Sequence, residues 1–298
     1  MRSAVRVDRV SDGVRVELGR TARVKVPHPL VVRRLHVVAT ARVTPTIARV
    51  TLAGAELAGF VSTGPADHVK AFFPDPVTRR LAAPTIGIDG ALHPPQGPAY
   101  PRDYTPRAFR DRGASGLPEL DLDLVLHDDD GGGPAAAWAA RAEVGDPLVV
   151  LGPRSSALVP AGADAFVLLC DETALPAVAR WLELVPGGAS VRVLAEYSAP
   201  GDDAYLGETG PGVQVDWLRR EGPAGTSDVL ERAVRALGPL PAGTYVWAGG
   251  EAGSLVGVRR HLRRGLGLAA ERFKVSGYWR RGVADFDHHA PIDPTDPD

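Results

Sequence analysis

Residues 120–127 read Leu-Asp-Leu-Asp-Leu-Val-Leu-His, and a period of two sustained over eight residues suits a β-strand and no helix. Side chains alternate across a strand, so Leu120, Leu122, Leu124 and Leu126 share one face and Asp121, Asp123 and His127 the other. Shorter stretches repeat the pattern. Leu35, Val37, Ala39 and Val43 form one face; Ile47 to Leu52 follows the turn at Pro45; Val69, Ala71 and Phe73 point inward with His68 and Lys70 outward; Leu148 to Leu151 closes at Gly152-Pro153. Residues 74–100 are rich in Pro and Gly and read as loop. Several short strands between turn signals predict a small antiparallel barrel.

Beyond residue 159 the rhythm changes. Strands at Ala165–Cys170, Ser190–Tyr197, Val213–Leu218, Thr244–Ala248 and Lys274–Trp279 alternate with helical patterns. Those helices carry Leu175, Val178, Ala179 and Leu182; then Leu230, Ala233, Val234 and Leu237; then Leu255, Val258 and Leu262. Such alternation predicts a parallel α/β sheet. The expected organisation is an extension over 1–30, a barrel over 31–158, an α/β domain over 159–283 and a disordered Asp- and Pro-rich tail over 284–298.

A net charge of -2 over 298 residues gives no global field to attract nucleic acid or an anionic membrane, so any anion site is local. Cys170 is the single cysteine, which rules out an internal disulfide and fits a reducing compartment. Met1 to Gly13 holds no apolar core of a signal peptide, and no apolar run reaches membrane-spanning length. A soluble, cytoplasmic, monomeric protein is expected.

The candidate chemistry lies in a few stretches. Arg102-Asp103-Tyr104-Thr105-Pro106-Arg107 offers forked cations, a flat ring and a hydroxyl within six residues. These suit a ligand planar at one end and anionic at the other, or equally a solvated surface strand. Extended alternation sets Arg102, Tyr104 and Pro106 against Asp103, Thr105 and Arg107. After His127 and Asp128-Asp129-Asp130, Gly131-Gly132-Gly133-Pro134 opens a helix running through Ala135 to Trp138. Free amides at such a start suit a pyrophosphate, although the aspartates oppose one and an ordinary loop explains the run as well. Asp171-Glu172-Thr173 and Gly249-Gly250-Glu251 follow α/β strands, where open sheets bind ligands, and Thr173 also suits a helix cap. Neither is a G-x-G-x-x-G fingerprint, and no spaced Cys/His metal set, P-loop or nucleophile elbow occurs. His288-His289 is read as part of the tail, with no metal expected. Asp202-Asp203, after the second α/β strand, disfavours a 2′-phosphate on a ribose placed there.

Five stretches together resemble one family. Arg102 to Arg107, His127 with Gly133 to Ala139, Asp171 to Ala177, Ala248 to Ala252 and Gly277 to Gly282 occur in the order seen in the siderophore-interacting proteins. These are flavoprotein ferric-siderophore reductases of the ferredoxin-reductase-like superfamily. The resemblance runs from about Leu30 to Gly282. It implies a six-stranded Greek-key barrel holding FAD and a nucleotide-binding α/β domain receiving NAD(P)H, with a ferric siderophore as acceptor. Arg102, Tyr104, Thr105 and Arg107 would hold the flavin; His127, Gly133, Pro134, Ala135 and Trp138 its pyrophosphate and adenine side; Tyr278 and Trp279 would pack near the ring or the domain seam, or equally form a buried aromatic strand. Asp171, Glu172, Thr173, Gly249, Gly250 and Glu251 would face the nicotinamide nucleotide. Lys70, Arg280 and Arg281 are the cations placed around the chelate. No catalytic acid, base or nucleophile is expected, because electron transfer through the flavin needs none. Three departures from the family pattern stand out: Asp128-Asp130, Cys170 in place of a glycine, and the long N-terminal extension. A ferredoxin donor, another flavin reductase of the superfamily, and a flavin-free chelate carrier remain open.

Overall fold

The computed structural model describes residues 21–126 and 133–296. The described chain forms two compact units. One contains Lys25–Ala157 together with Ala199–Leu206. Its strands are β1 (Lys25–Pro27), β2 (Val32–Thr44), β3 (Ile47–Ala53), β4 (Val69–Phe73), β5 (Thr85–Ile86), β6 (Leu92–His93), β7 (Tyr100–Tyr104), β8 (Pro106–Arg110), β9 (Glu119–Val125), β10 (Pro147–Leu151) and β11 (Ser155–Ala157). One short helix, α1 (Pro134–Ala139), lies between β9 and β10. The main sheet has the order β7-β4-β10-β2-β3-β9-β8, and every pair is antiparallel. Its two edge strands, β7 and β8, are separated by Thr105 alone, so the sheet curls until its edges approach at that residue. The expected six strands are thus seven: the chain changes partner at Thr105, from β4 to β9, and one extended segment becomes two.

Leu120, Leu122 and Leu124 of β9 are fully buried beside Val37, Leu52, Val69 and Phe73. The opposite face of β9 is buried as well. Arg110 bridges Glu119 and Asp121, Thr51 donates to Asp121, and Arg49 forks onto both oxygens of Asp123 at 2.7 Å. Tyr205 covers that ladder, its hydroxyl donating to Asp123. On β2, a bulge between Val37 and Ala39 slips the register and leaves Ala39 exposed instead of continuing the inward face.

The other unit takes Leu158–Ser198 and Gly207 onward, joined by the described N-terminal residues up to Val24. It contains β12 (Ala165–Cys170), α2 (Leu175–Leu184), β13 (Ser190–Tyr197), β14 (Val213–Arg219), α3 (Val229–Ala236), β15 (Thr244–Glu251), α4 (Leu255–Arg260) and β16 (Phe273–Trp279). The sheet order is β14-β13-β12-β15-β16, all parallel. The order reverses between β12 and β15, which makes the carboxyl ends of those two strands the switch point where such sheets open toward ligands. Cys170 is fully buried in β12, where burial first and nearby carboxylates second push its thiol pKa well up.

The acidic tail departs from its expected disorder. Asp293 is buried and accepts from Arg260 at 2.5 Å, while Asp296 pairs with Arg259, Arg263 and Arg264 at 3.1–3.3 Å. Ile292 packs into the hydrophobic cluster of the α/β unit. Asp and Pro set the composition of the tail, but four arginines at the end of α4 and just beyond give its carboxylates partners. Asp202 also departs from expectation. It is fully buried in the barrel unit, where it accepts from the Thr46 amide and hydroxyl and from the Ala199 amide, so it is not free to meet a ribose.

Candidate functional site

In the barrel unit the hexapeptide divides at the Thr105 corner. Arg102 and Tyr104 lie on β7, Thr105 is buried at the corner, and Arg107 lies on β8. Arg102 donates to the Pro101 carbonyl at 2.6 Å, and its guanidinium comes within 4.0 Å of a Cβ built on Gly133. Two stretches well separated in the chain therefore meet: a cation and the start of α1, whose first turn leaves amides without intrahelical partners. Tyr104 packs edge-on against Phe73 at 5.8 Å, and burial, the dominant cause, pushes its hydroxyl pKa well up and keeps it a neutral donor. Arg107 acts on the other side of the corner, where its charge reaches Tyr205. His127 lies outside the described residues.

Trp138 departs from its expected place beside an adenine. It is 2% exposed and meets Phe73 edge-on at 5.3 Å, so Phe73 stands between Tyr104 and Trp138. Ala135 is buried with it, whereas Gly133 is exposed and Pro134 half-buried. Lys70 is outward, as its strand predicts, and is paired across the strands with Asp103 at 2.9 Å.

At the switch point of the α/β unit, the predicted residues bind one another. Asp171 accepts four hydrogen bonds: from the Thr173 amide and hydroxyl, from the Glu251 amide and from the Trp279 indole. The ends of β12, β15 and β16 are tied together by this single carboxylate. Gly249 and Gly250 serve close packing here. A Cβ on Gly249 would lie 2.6 Å from the Trp247 ring, and one on Gly250 would lie 2.8 Å from the Asp171 carboxyl. Glu251 turns inward to accept from the Ser254 and Arg281 amides. Tyr278 meets the Trp247 ring edge-on at 6.3 Å, and Arg280 and Arg281 are exposed just beyond β16.

Glu172 forks onto Arg220 at 2.9 and 3.1 Å, and Arg220 also holds Glu196 at 2.7 Å. All three side chains are buried. Sequence reasoning missed Arg220 and Glu196. The available signal was polar residues closing apolar strands, which shows that a partner is needed without saying which.

Burial pushes the Asp171 carboxyl up to about 6, with the Glu172 charge adding to it and hydrogen bonds from Thr173 and Trp279 opposing it. An ordinary Asp titrates at about 3.9, so between about pH 4 and 6 the folded chain keeps a proton that the unfolded chain loses. This contribution to stability is present at low pH and is lost as pH rises through about 6. Urea unfolding of the protein and of Asp171→Asn is expected to show the wild type losing ground over that window, by on the order of 1–3 kcal/mol. Parallel stability curves would contradict it.

A curled antiparallel barrel followed by a parallel sheet with its switch point between β12 and β15 is the architecture of ferredoxin-reductase-like proteins. The ferredoxin reductase of carbazole 1,9a-dioxygenase shares it at a TM-score of 0.56 and 14% identity, covering 85% of this chain and 70% of that one. The siderophore-interacting FAD-binding domain model matches residues 36–157, and the siderophore-interacting protein model matches 163–282. The chain belongs to the siderophore-interacting protein family. A siderophore utilization protein from T. fusca superposes at a TM-score of 0.81 with 42% identity, covering 90% of this chain and all of that one. The NADPH-dependent ferric-chelate reductase of Escherichia coli is 32% identical over 260 residues, covering 86% of this chain and 95% of that protein.

Proposed function

We propose that this protein is a flavoprotein reductase that passes electrons from NAD(P)H through FAD to a ferric siderophore and releases Fe(II). The observation that carries the reading is the approach of Arg102 to Gly133 at the start of α1, within the span matched by the FAD-binding model. A guanidinium and helix-start amides are donors of the kind a pyrophosphate needs. Tyr104, held neutral beside them, supplies an aromatic edge and a hydroxyl. These residues fit FAD, with Thr105 fixing the corner between the two flavin-side strands. Bound FAD accepts two electrons as hydride and gives them up one at a time, which joins a nicotinamide donor to an iron that takes one. Siderophores hold Fe(III) with hard oxygen donors, and Fe(II) matches that set less well, so reduction loosens the metal.

Lys70, Arg280 and Arg281 are the cations assigned to the chelate. Asp103 offsets much of the Lys70 charge, while Arg280 and Arg281 are exposed. NADPH is the favoured donor over ferredoxin, because the Escherichia coli relative is named for it. No helix among the described residues is long and apolar enough to cross a membrane. The reading places the reaction in the cytoplasm.

Arg102→Ala is expected to weaken FAD binding by about 1.5–3 kcal/mol, on the order of tenfold to a hundredfold, with thermal stability of the flavin-free protein unchanged. Titration of flavin-free wild type and variant with FAD, followed by flavin fluorescence, measures it. Equal affinities would remove Arg102 from the site.

A further inference from the structure

We propose that Asp287, His288 and His289 form a divalent-cation site that receives Fe(II), a role that rests on the reductase reading for the source of the metal. One ligand atom from each residue lies within 4.8 Å of the other two. A tight turn gathers them: Asp287 accepts from the His289 amide at 2.9 Å through its carboxylate, and from the Ala290 amide at 2.9 Å through its carbonyl. The two imidazole rings sit 3.9 Å apart, centroid to centroid.

The turn is anchored on both sides. Phe286 and Ile292 close over Gly277 so tightly that a Cβ there would lie 3.1 Å from each. Asp293 and Asp296 are held by the arginines at the end of α4 and just beyond it. A triad carried on a docked segment loses less conformational freedom on binding a metal than one on a loose tail. Asp287 and His289 are exposed and His288 is half-buried, so a hydrated cation can reach the cluster.

The donor set discriminates between oxidation states. Two imidazoles and one carboxylate suit borderline divalent ions, among them Fe(II), whereas Fe(III) prefers the all-oxygen set of a siderophore. Such a site accepts the product of reduction without competing for the substrate. Three protein ligands leave coordination positions open, so the ion stays exchangeable and can be passed on. Zn(II) follows Fe(II) in the general order of divalent affinities and serves as a redox-silent probe.

The test uses the full flavin-loaded protein. Calorimetric titration with Zn(II) and anaerobic equilibrium dialysis with Fe(II) are run on wild type, Asp287→Asn, His288→Ala, His289→Ala, His288→Gln and, as a control, His93→Ala, which alters an exposed imidazole in the barrel unit. One equivalent of either metal is expected. Each change in the triad should weaken it by about tenfold or more, because loss of a ligand costs at least as much as loss of an outer partner. Flavin content, circular dichroism and the His93→Ala affinity should be unchanged. Absence of stoichiometric binding, or binding that survives both His288→Gln and His289→Ala, overturns the site. The Zn(II) result does not depend on ferric-chelate reduction. A chain that binds Zn(II) here yet reduces no chelate overturns the Fe(II) role, and one that reduces chelates but binds no metal here overturns the site alone.

Discussion

Trp138→Ala is expected to destabilise the protein by about 3–5 kcal/mol, the range for emptying a buried large aromatic site. Trp138 is 2% exposed and packs on Phe73, with Ala135 and Ala139 in the same cluster, so truncation leaves a cavity the short α1 cannot close. FAD affinity should fall only as far as the folded fraction falls, and Trp138→Phe should recover part of the stability. Chemical denaturation with a parallel FAD titration separates the two quantities. A variant that keeps its stability and loses its flavin would return Trp138 to the adenine side and contradict the core assignment.

Arg220→Met should have an effect of similar size. Removing the guanidinium strands Glu172 and Glu196, whose side chains are 8% and 4% exposed, without their cation. Breaking one side of a buried ion set costs about 3–5 kcal/mol, because the remaining charges stay uncompensated. Burial already raises the Glu196 pKa, so the loss should be largest at neutral pH and shrink in acid as that carboxylate takes up a proton. Replacing Glu172 and Glu196 by Gln in the same chain should recover much of the stability. Urea denaturation at pH 5 and 7 measures both. A loss below about 1 kcal/mol at neutral pH would show that water or another cation reaches the pair.

The sequence carried the fold further than it carried the site. The β9 alternation was legible because the pleat alone fixes which residues share a face, and Leu120, Leu122 and Leu124 are buried as predicted. Its acidic face was not legible as buried, since Arg110, Arg49 and Tyr205 arrive from other segments. The Thr105 corner was invisible for a related reason: an extended hexapeptide reads as one strand whether or not its pairing partner changes midway. Five α/β strands and three helices were legible from periodicity, but the roles of their end residues were not. Asp171, Gly249, Gly250 and Glu251 occupy positions where ligands commonly bind, and packing between strand ends uses the same small and acidic residues. The tail failed on composition. Asp and Pro signal disorder only while no partner exists, and Arg259, Arg260, Arg263 and Arg264 supply one.

The most direct test of the proposed activity is an anaerobic absorbance titration of the purified protein. A yellow preparation is expected, one that loses its flavin absorbance when NADPH is added and regains it when a ferric siderophore follows, with Fe(II) appearing in solution at two equivalents per flavin reoxidised. A preparation that stays colourless after incubation with FAD, or a reduced flavin that a ferric siderophore leaves unchanged, would contradict it.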